Sequence, residues 1–154
     1  MLNQLDQQIQ AMSRDDLYEA LYLDPLTKVH NRLAFEKLEV GPIAIIDLDS
    51  LKYVNDSLGH RAGDDLLVGL GNALREVFGQ DNVFRLGDEF VVRGHLQYEL
   101  KKGLIKVDNK FPRFSYGIGM VLAEADDSLR LHKLTRKNCG KRALRGEPPV
   151  WLLK

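Results

Sequence analysis

The sequence predicts a single α+β domain in which helices cover a mostly antiparallel β-sheet. Strand-like and helix-like segments follow the order strand, helix, two strands, helix, strand, helix, which is a split β-α-β arrangement. Val83–Leu86 and Phe90–Val92 flank the turn residues Gly87-Asp88, and this pattern predicts a tight hairpin. The length of 154 residues suits one domain with one hydrophobic core.

Before the first strand, the apolar residues predict helices. One stripe has the helical spacing of three and four residues: Leu2, Leu5, Ile9 and Met12. Ser13 is a suitable N-cap for a second helix, which Asp24-Pro25 ends. The stripe packs on the domain or pairs with the same helix of another chain, and it is also a candidate contact for a partner protein. We therefore expect an N-terminal helical stalk at residues 1–23 and a domain at residues 24–154.

The later elements are predicted from apolar spacing and from glycine and proline breaks. Thr27–Leu38 has a helical pattern, and Ile43–Ile46 is a continuous apolar run typical of a buried central strand. The other expected helices are Gly63–Phe78, Gln97–Val107 and Ala125–Lys137. Phe114–Leu122 is the fourth expected strand, and Val150–Leu153 would be one further strand. Together these elements predict a ferredoxin-like sheet flanked by helices.

The composition argues against several classes of protein. Twenty-two basic residues balance twenty-two acidic ones, so no global field favours nucleic acid as a partner. No apolar run is long enough to span a membrane, and the first residues lack the features of a secretion signal. The one cysteine, Cys139, rules out an internal disulfide and suits the reducing cytoplasm, where we expect the protein to be.

The first candidate site lies at the end of the predicted central strand. Asp47 and Asp49 are two residues apart, so their carboxylates project to the same side. The hairpin would bring Asp88 close to Asp47, and three carboxylates around one point form a plausible Mg²⁺-nucleotide site. The alternative is that both segments are solvated acidic turns.

Two further segments suggest a bound nucleotide. Asn55 and Asp64 flank a glycine-rich approach to a helix, and an amide and a carboxylate together can read a base edge. Arg130, Lys133 and Lys137 share one helix face, which suits a triphosphate. The ordinary explanations are a favourable acid in the first turn of a helix and a solvated cationic helix end. The sequence contains no phosphate-binding loop of the Gly-x-x-x-x-Gly-Lys-Ser/Thr type.

Taken in order, these segments resemble the motifs of GGDEF domains, which have the nucleotidyl-cyclase palm fold. The resemblance covers about Asp24 to Asn138. The matching segments are Asp24-Pro25-Leu26-Thr27 with Asn31-Arg32, Asp47-Leu48-Asp49-Ser50-Leu51-Lys52-Tyr53-Val54-Asn55-Asp56, Gly59-His60-Arg61-Ala62-Gly63-Asp64, Arg85-Leu86-Gly87-Asp88-Glu89-Phe90, Ser115-Tyr116-Gly117-Ile118-Gly119, and Ala125-Asp126 with Lys133 and Lys137-Asn138.

The resemblance implies a role for each matching residue. Asp47 and Asp88 would hold Mg²⁺ or Mn²⁺ together with the main-chain carbonyl of Leu48. Glu89 would support the attacking 3′-hydroxyl. The residues implied to bind GTP are Asn55 and Asp64 at the guanine and Lys52, Lys133, Lys137 and the main chain of Gly87 at the phosphates. The implied activity is that of a diguanylate cyclase, in which a homodimer condenses two GTP molecules into cyclic di-GMP.

The chain also departs from the family pattern. The signature has one glycine, Gly87, where the family usually has two, so either a residue is missing or Leu86 occupies the first glycine position. The inhibitory Arg-x-x-Asp motif is replaced by Phe78-Gly79-Gln80-Asp81, and the stretch between Phe90 and Ser115 is short. The lost glycine favours an alternative function, in which a catalytically silent domain binds GTP or a cyclic dinucleotide as a regulatory module.

Overall fold

The computed structural model describes residues 3–38, 41–111 and 113–143, with side chains described as far as residue 135. Four strands form one sheet: β1 (Ile43–Leu48), β2 (Val83–Leu86), β3 (Glu89–Arg93) and β4 (Phe114–Gly119). The helices are α1 (Gln4–Ala11), α2 (Arg14–Tyr22), α3 (Arg32–Phe35), α4 (Leu51–Leu58), α5 (His60–Phe78), α6 (Gln97–Lys110) and α7 (Leu122–Ala143). The sheet order is β2-β3-β1-β4, and every neighbouring pair is antiparallel. The predicted α+β, ferredoxin-like class is confirmed.

Apolar side chains cover the sheet on both faces, because β1 and β3 alternate between two hydrophobic cores. The first core lies under α5 and α6 and includes Ala44, Ile46, Leu70, Leu74, Phe90, Leu100, Leu104 and Phe114. The second lies under α7 and α3 and includes Ile43, Ile45, Phe84, Val91, Ala125 and Leu129. Residues at odd positions of β1 therefore face α7, and this is the face that receives Asp47.

The N-terminal helices form as predicted and keep much of their apolar surface exposed. Ser13 caps α2 by accepting a hydrogen bond from the Asp16 amide at 3.1 Å. In α1, the side chains of Leu5 and Ile9 are 61% and 47% exposed. Leu2, the first residue of the predicted stripe, lies outside the described residues. The apolar stripe thus remains available on the helix surface.

The predicted helix over Thr27–Leu38 is wrong, because only the short helix α3 forms within it. Asp24 accepts hydrogen bonds from the amide and hydroxyl of Thr27 at 2.8 and 2.7 Å, which closes a turn instead of a helix. Lys28 then adopts a positive φ of 59°. The main chain of His30 pairs with β2 through Val83 and Arg85, so its amide and carbonyl are not available to a helix.

Other differences from the predictions concern element boundaries. Helix α4 was not predicted, and α5 begins at His60 rather than at Gly63 because Gly59, with φ of 87°, separates the two helices. Strand β4 ends at Gly119, and α7 already begins at Leu122, inside the predicted strand. The segment Val150–Leu153 lies outside the described residues.

Two helices have the length needed to cross a bilayer: α5 with 19 residues and α7 with 22. Both carry charged side chains along their length. Among the residues that the structure describes, no helix combines that length with the apolar composition of a membrane span.

Candidate active site at the end of the central strand

The candidate site is built on one row of residues that crosses the sheet. Asp47 is paired with Glu89 of β3 on one side and with Ser115 of β4 on the other. Glu89 is in turn paired with Leu86 of β2. Directly paired residues on neighbouring strands point to the same face, so this row faces α7. The register therefore sets two carboxylates side by side, with a hydroxyl next to them.

Helix α7 brings a cation to this row. The Lys133 ammonium forms an ion pair with Oδ2 of Asp47, and the two side chains are 37% and 23% exposed. Ser115 is fully buried and donates a hydrogen bond from its hydroxyl to Oδ1 of Asp49 at 2.6 Å. The site thus combines closely spaced negative charge with one positive charge that partly neutralises it.

The pKa of Glu89 depends on its burial and on the charged groups around it. Partial burial and the nearby carboxylate of Asp47 raise the pKa of Glu89 above its ordinary value. The ammonium of Lys133 opposes this rise, whereas Asp126 and Asp88 add to it. Asp47, Asp88 and Lys133 are therefore all close enough to Glu89 to act on its charge. Like charges placed directly opposite one another on two strands are unfavourable unless a cation lies between them.

The expectation of three carboxylates around one point is wrong. Asp49 accepts a hydrogen bond from the hydroxyl of Ser115, but no group of three or more His, Cys, Asp or Glu side chains in the described part of the chain is placed to hold a metal. The set implied by the resemblance is smaller, with two carboxylates and the carbonyl of Leu48. Hard oxygen donors of this kind suit Mg²⁺, and the ammonium of Lys133 already occupies a cation position at Asp47. The residues present therefore fit a divalent ion.

The hairpin that carries Asp88 is held by an arginine. Gly87 has φ of 73°, which closes the two-residue turn between β2 and β3. Arg85 donates a hydrogen bond from Nε to the carbonyl of Gly87 at 2.8 Å and from Nη1 to Asp24 at 3.0 Å. Arg85 and Asp24 are both largely buried, with side chains 15% and 16% exposed. The entry segment around Asp24 is thus tied to the turn of the signature.

The pKa of the Asp24 carboxyl is lowered in this contact. Its partial burial alone would raise the pKa, but hydrogen bonds from Thr27 and the hydrogen bond and charge of Arg85 outweigh burial and hold the pKa below its ordinary value. Asp24 is therefore ionised in the folded protein, where it forms its ion pair with Arg85. Both residues lie in matching motifs, but no role follows from the sequence because 61 positions separate them.

The residues expected to read a base lie on the helices that follow β1. Asn55 is in α4, and its Oδ1 atom is buried without a hydrogen-bond partner in the described structure. The main chain of α5 passes close to it, because a Cβ added at Gly63 would lie 1.9 Å from that oxygen. Asp64 follows Gly63 and is exposed, and Lys52 is exposed one helical turn before Asn55. An orphaned buried amide oxygen needs a donor, and a ligand can supply one.

The predicted basic face of α7 is divided between different partners. Lys133 contacts Asp47, whereas Arg130 forms an i,i+4 ion pair with Asp126 at 3.1 Å and is 73% exposed. The Lys137 side chain lies outside the described residues. Of the three predicted basic residues, the structure places Lys133 directly at the carboxylates.

The sheet is antiparallel, has the order β2-β3-β1-β4, and carries acidic residues at the end of β1 and at the adjacent hairpin. This arrangement defines an α+β domain of the nucleotidyl-cyclase type. Residues 21–95 match the family described as "Diguanylate cyclase, GGDEF domain". Residues 21–95 therefore belong to a GGDEF domain.

Known proteins agree with this assignment. The chain is 30% identical over 145 residues to Diguanylate cyclase DgcS of Shewanella oneidensis, covering 82% of this chain and 48% of DgcS. It is 34% identical over 110 residues to Cyclic di-GMP phosphodiesterase NbdA of Pseudomonas aeruginosa, covering 62% of this chain and 13% of NbdA. It thus spans about half of DgcS and a much smaller part of NbdA.

The fold also matches a solved structure. A microbial GGDEF domain, solved in a study of its interaction with bis-(3′,5′)-cyclic di-GMP, superposes with a TM-score of 0.62 and 26% identity. The match covers 75% of this chain and 94% of that domain. Nearly the whole of a GGDEF domain is therefore represented in this chain.

Proposed function

We propose that this chain is a diguanylate cyclase that condenses two GTP molecules into cyclic di-GMP. The observation that carries the proposal is the row of Glu89 and Asp47 across β3 and β1, with Lys133 placed on Asp47. This row collects the kinds of charged group that would bind a nucleotide triphosphate and its divalent ion. The family match and the likeness to DgcS support the same activity.

The proposed metal ligands are Asp47, Asp88 and the carbonyl of Leu48. When bound, Mg²⁺ or Mn²⁺ would supply charge neutralisation at the phosphates and at the leaving pyrophosphate. Glu89 is paired with Asp47 across the two strands and directly follows Asp88 in the chain, which supports a common location for the two aspartates. Lys133 would exchange its contact with Asp47 for a phosphate oxygen when the nucleotide binds.

The remaining residues would hold GTP. The orphaned Oδ1 of Asn55 supports a guanine site, because it can accept a hydrogen bond from the base. Asp64 would pair with the N1 and N2 hydrogens of guanine, a pattern that adenine lacks. The groups proposed at the phosphates are the side chains of Lys52, Lys133 and Lys137 and the main chain of Gly87.

In the proposed reaction, each subunit of a homodimer holds one GTP. The 3′-hydroxyl of each nucleotide attacks the α-phosphorus of the other, so that an O–P bond forms, the hydroxyl proton is lost and pyrophosphate leaves. The raised pKa of Glu89 suits a group beside the hydroxyl that takes up a proton. Bringing two nucleotides together removes a large entropic barrier.

A second candidate function is supported by the hairpin. Leu86 is the last residue of β2, and its half-buried side chain packs on the same face as Glu89. A branched side chain at this position would hinder the approach of phosphate to the turn. In that case the domain, residues 24–154, would bind GTP or a cyclic dinucleotide and act through a partner protein. Residues 1–23 would form a stalk, and Leu5 and Ile9 on it would contact the partner protein. A cytoplasmic location is proposed for either function.

The deciding experiment is incubation of the purified chain with labelled GTP and Mg²⁺ over a range of protein concentrations. We expect cyclic di-GMP to form, with specific activity rising with concentration because each product molecule needs two subunits. The Asp127→Asn variant controls for the loss of an acidic charge outside the site. Asp127 is an exposed acid on α7 away from the row, so this variant should retain the wild-type rate.

The second function makes a different prediction in the same assay. Labelled GTP that is bound but not converted, even at the highest protein concentration, would reject the cyclase and support the silent binding module. Absence of both binding and conversion would reject both functions.

A further inference from the structure

Within the described part of the chain, strand β4 is an edge of the sheet, because the order β2-β3-β1-β4 gives it one neighbouring strand. An edge strand leaves every second main-chain amide without a strand partner. On β4 these outward amides belong to Tyr116 and Ile118, and the amide of Met120 follows directly after the strand. Amides on this side of the strand need an acceptor outside the sheet or contact with water.

Helix α7 supplies the acceptors from its own side chains. The Tyr116 amide donates to Nδ1 of His132 at 2.9 Å, the Ile118 amide to Oγ of Ser128 at 3.2 Å, and the Met120 amide to Oε2 of Glu124 at 2.8 Å. We refer to Glu124, Ser128 and His132 as the edge row.

The rise per residue of a helix and of a strand explains the regular spacing of the edge row. Four residues of a helix rise about 6 Å, and two residues of a strand about 6.8 Å, so an i,i+4 row can follow alternate amides of an antiparallel strand. An amide can only donate, so Nδ1 of His132 must be the acceptor and the neutral ring carries its proton on Nε2. The His132 ring also lies 4.5 Å from the ring of Tyr116, measured between centroids.

A second row on α7 lies next to the edge row and contains Ala125, Leu129 and Lys133. We call it the face row. Ala125 and Leu129 are buried against the sheet, and Lys133 is the next residue in the same i,i+4 series. The two rows lie about 100° apart on the same helix. A rotation of α7 that moved the edge row would therefore turn the face row by the same angle.

We propose that His132 is a positioning residue for Lys133: its bond to the Tyr116 amide fixes the rotation of α7 so that Lys133 points at Asp47. Ser128 and Glu124 hold the earlier turns, and His132 holds the turn in which Lys133 lies. This inference extends the proposed function, since it gives the reason that the phosphate-binding lysine has a fixed direction.

The test compares two replacements of His132. His132→Asn keeps an acceptor at nearly the position of Nδ1, whereas His132→Ala removes it. We expect His132→Ala to accelerate hydrogen exchange of the Tyr116 amide at least tenfold and to weaken binding of GTP with Mg²⁺ about tenfold. His132→Asn should restore both values to within about threefold of the wild type.

A readout without nucleotide separates this inference from the proposed function. The midpoint shifts of Asp47→Asn and Lys133→Met should be non-additive in thermal unfolding, because the two side chains form an ion pair. We expect this coupling to disappear in the His132→Ala background and to persist with His132→Asn. If the wild type fails to bind GTP, the proposed function is rejected, and the coupling still decides the role of His132.

Two results would overturn the inference. Unchanged exchange of the Tyr116 amide in His132→Ala would mean that the hydrogen bond does not hold the strand. Faster exchange with an intact Asp47–Lys133 coupling would mean that His132 covers the strand edge without directing Lys133.

Discussion

The Asp88→Ala variant is expected to form no detectable cyclic di-GMP, a loss of at least about 10³-fold in turnover. Asp88 lies at the exposed tip of the hairpin and acts on the charge of Glu89 from there. Without its carboxylate, the divalent ion would keep Asp47 and the Leu48 carbonyl as its only protein ligands. The measurement is the initial rate of conversion of labelled GTP at saturating Mg²⁺.

The same variant should leave the fold intact. Asp88 is exposed and makes no ion pair among the described residues, so its thermal midpoint should stay close to that of the wild type. Asp127→Ala serves as the control for loss of one acidic charge and should remain active. Wild-type turnover in Asp88→Ala would remove Asp88 from the metal site.

Gly117→Ala is expected to have the largest effect on stability, about 3 kcal/mol or more of unfolding free energy. A Cβ at this position would lie 2.0 Å from the main-chain oxygen of Ala125 and 2.1 Å from the main-chain nitrogen of Leu129. Main-chain atoms cannot rotate out of the way as a flexible side chain can. Helix α7 would have to move off β4, and Lys133 would move with it.

The measurement is thermal unfolding of Gly117→Ala beside Gly41→Ala. A loss of this size corresponds to a midpoint about 6–12 °C lower for a chain of this length. Gly41 has no atom within 4 Å of a built Cβ, so its replacement by alanine should change the midpoint by no more than about 2 °C. Equal midpoints for the two variants would contradict the close contact of α7 with β4.

Local patterns were sufficient to predict the strands and most helices. The apolar run at Ile43–Ile46 and the turn at Gly87-Asp88 each determine a structure within a few residues, and both form as expected. The helix expected from Thr27 failed because Asp24 and β2 compete for its hydrogen bonds. That competition depends on residues distant in the chain, so periodicity could not reveal it.

The candidate site was only partly accessible from the sequence. The acidic residues could be found by their position at the end of a strand and in a turn, but the direct pairing of Asp47 with Glu89 depends on the register of two strands. The contact of Arg85 with Asp24 and the edge row on α7 require the folded arrangement. Spacing also gave Asp49 the same role as Asp47, whereas Asp49 accepts a hydrogen bond from Ser115 and no metal-binding group of three carboxylates forms among the described residues.

The most direct test of a shared cation is the binding of a non-hydrolysable GTP analogue, measured with and without Mg²⁺. In the wild type, Mg²⁺ should tighten binding at least about tenfold, and Asp47→Asn and Asp88→Asn should each remove that gain. The double variant should lose no more than either single variant if both carboxylates hold the same ion, as proposed. A Mg²⁺-dependent gain that survives in either single variant would contradict the account.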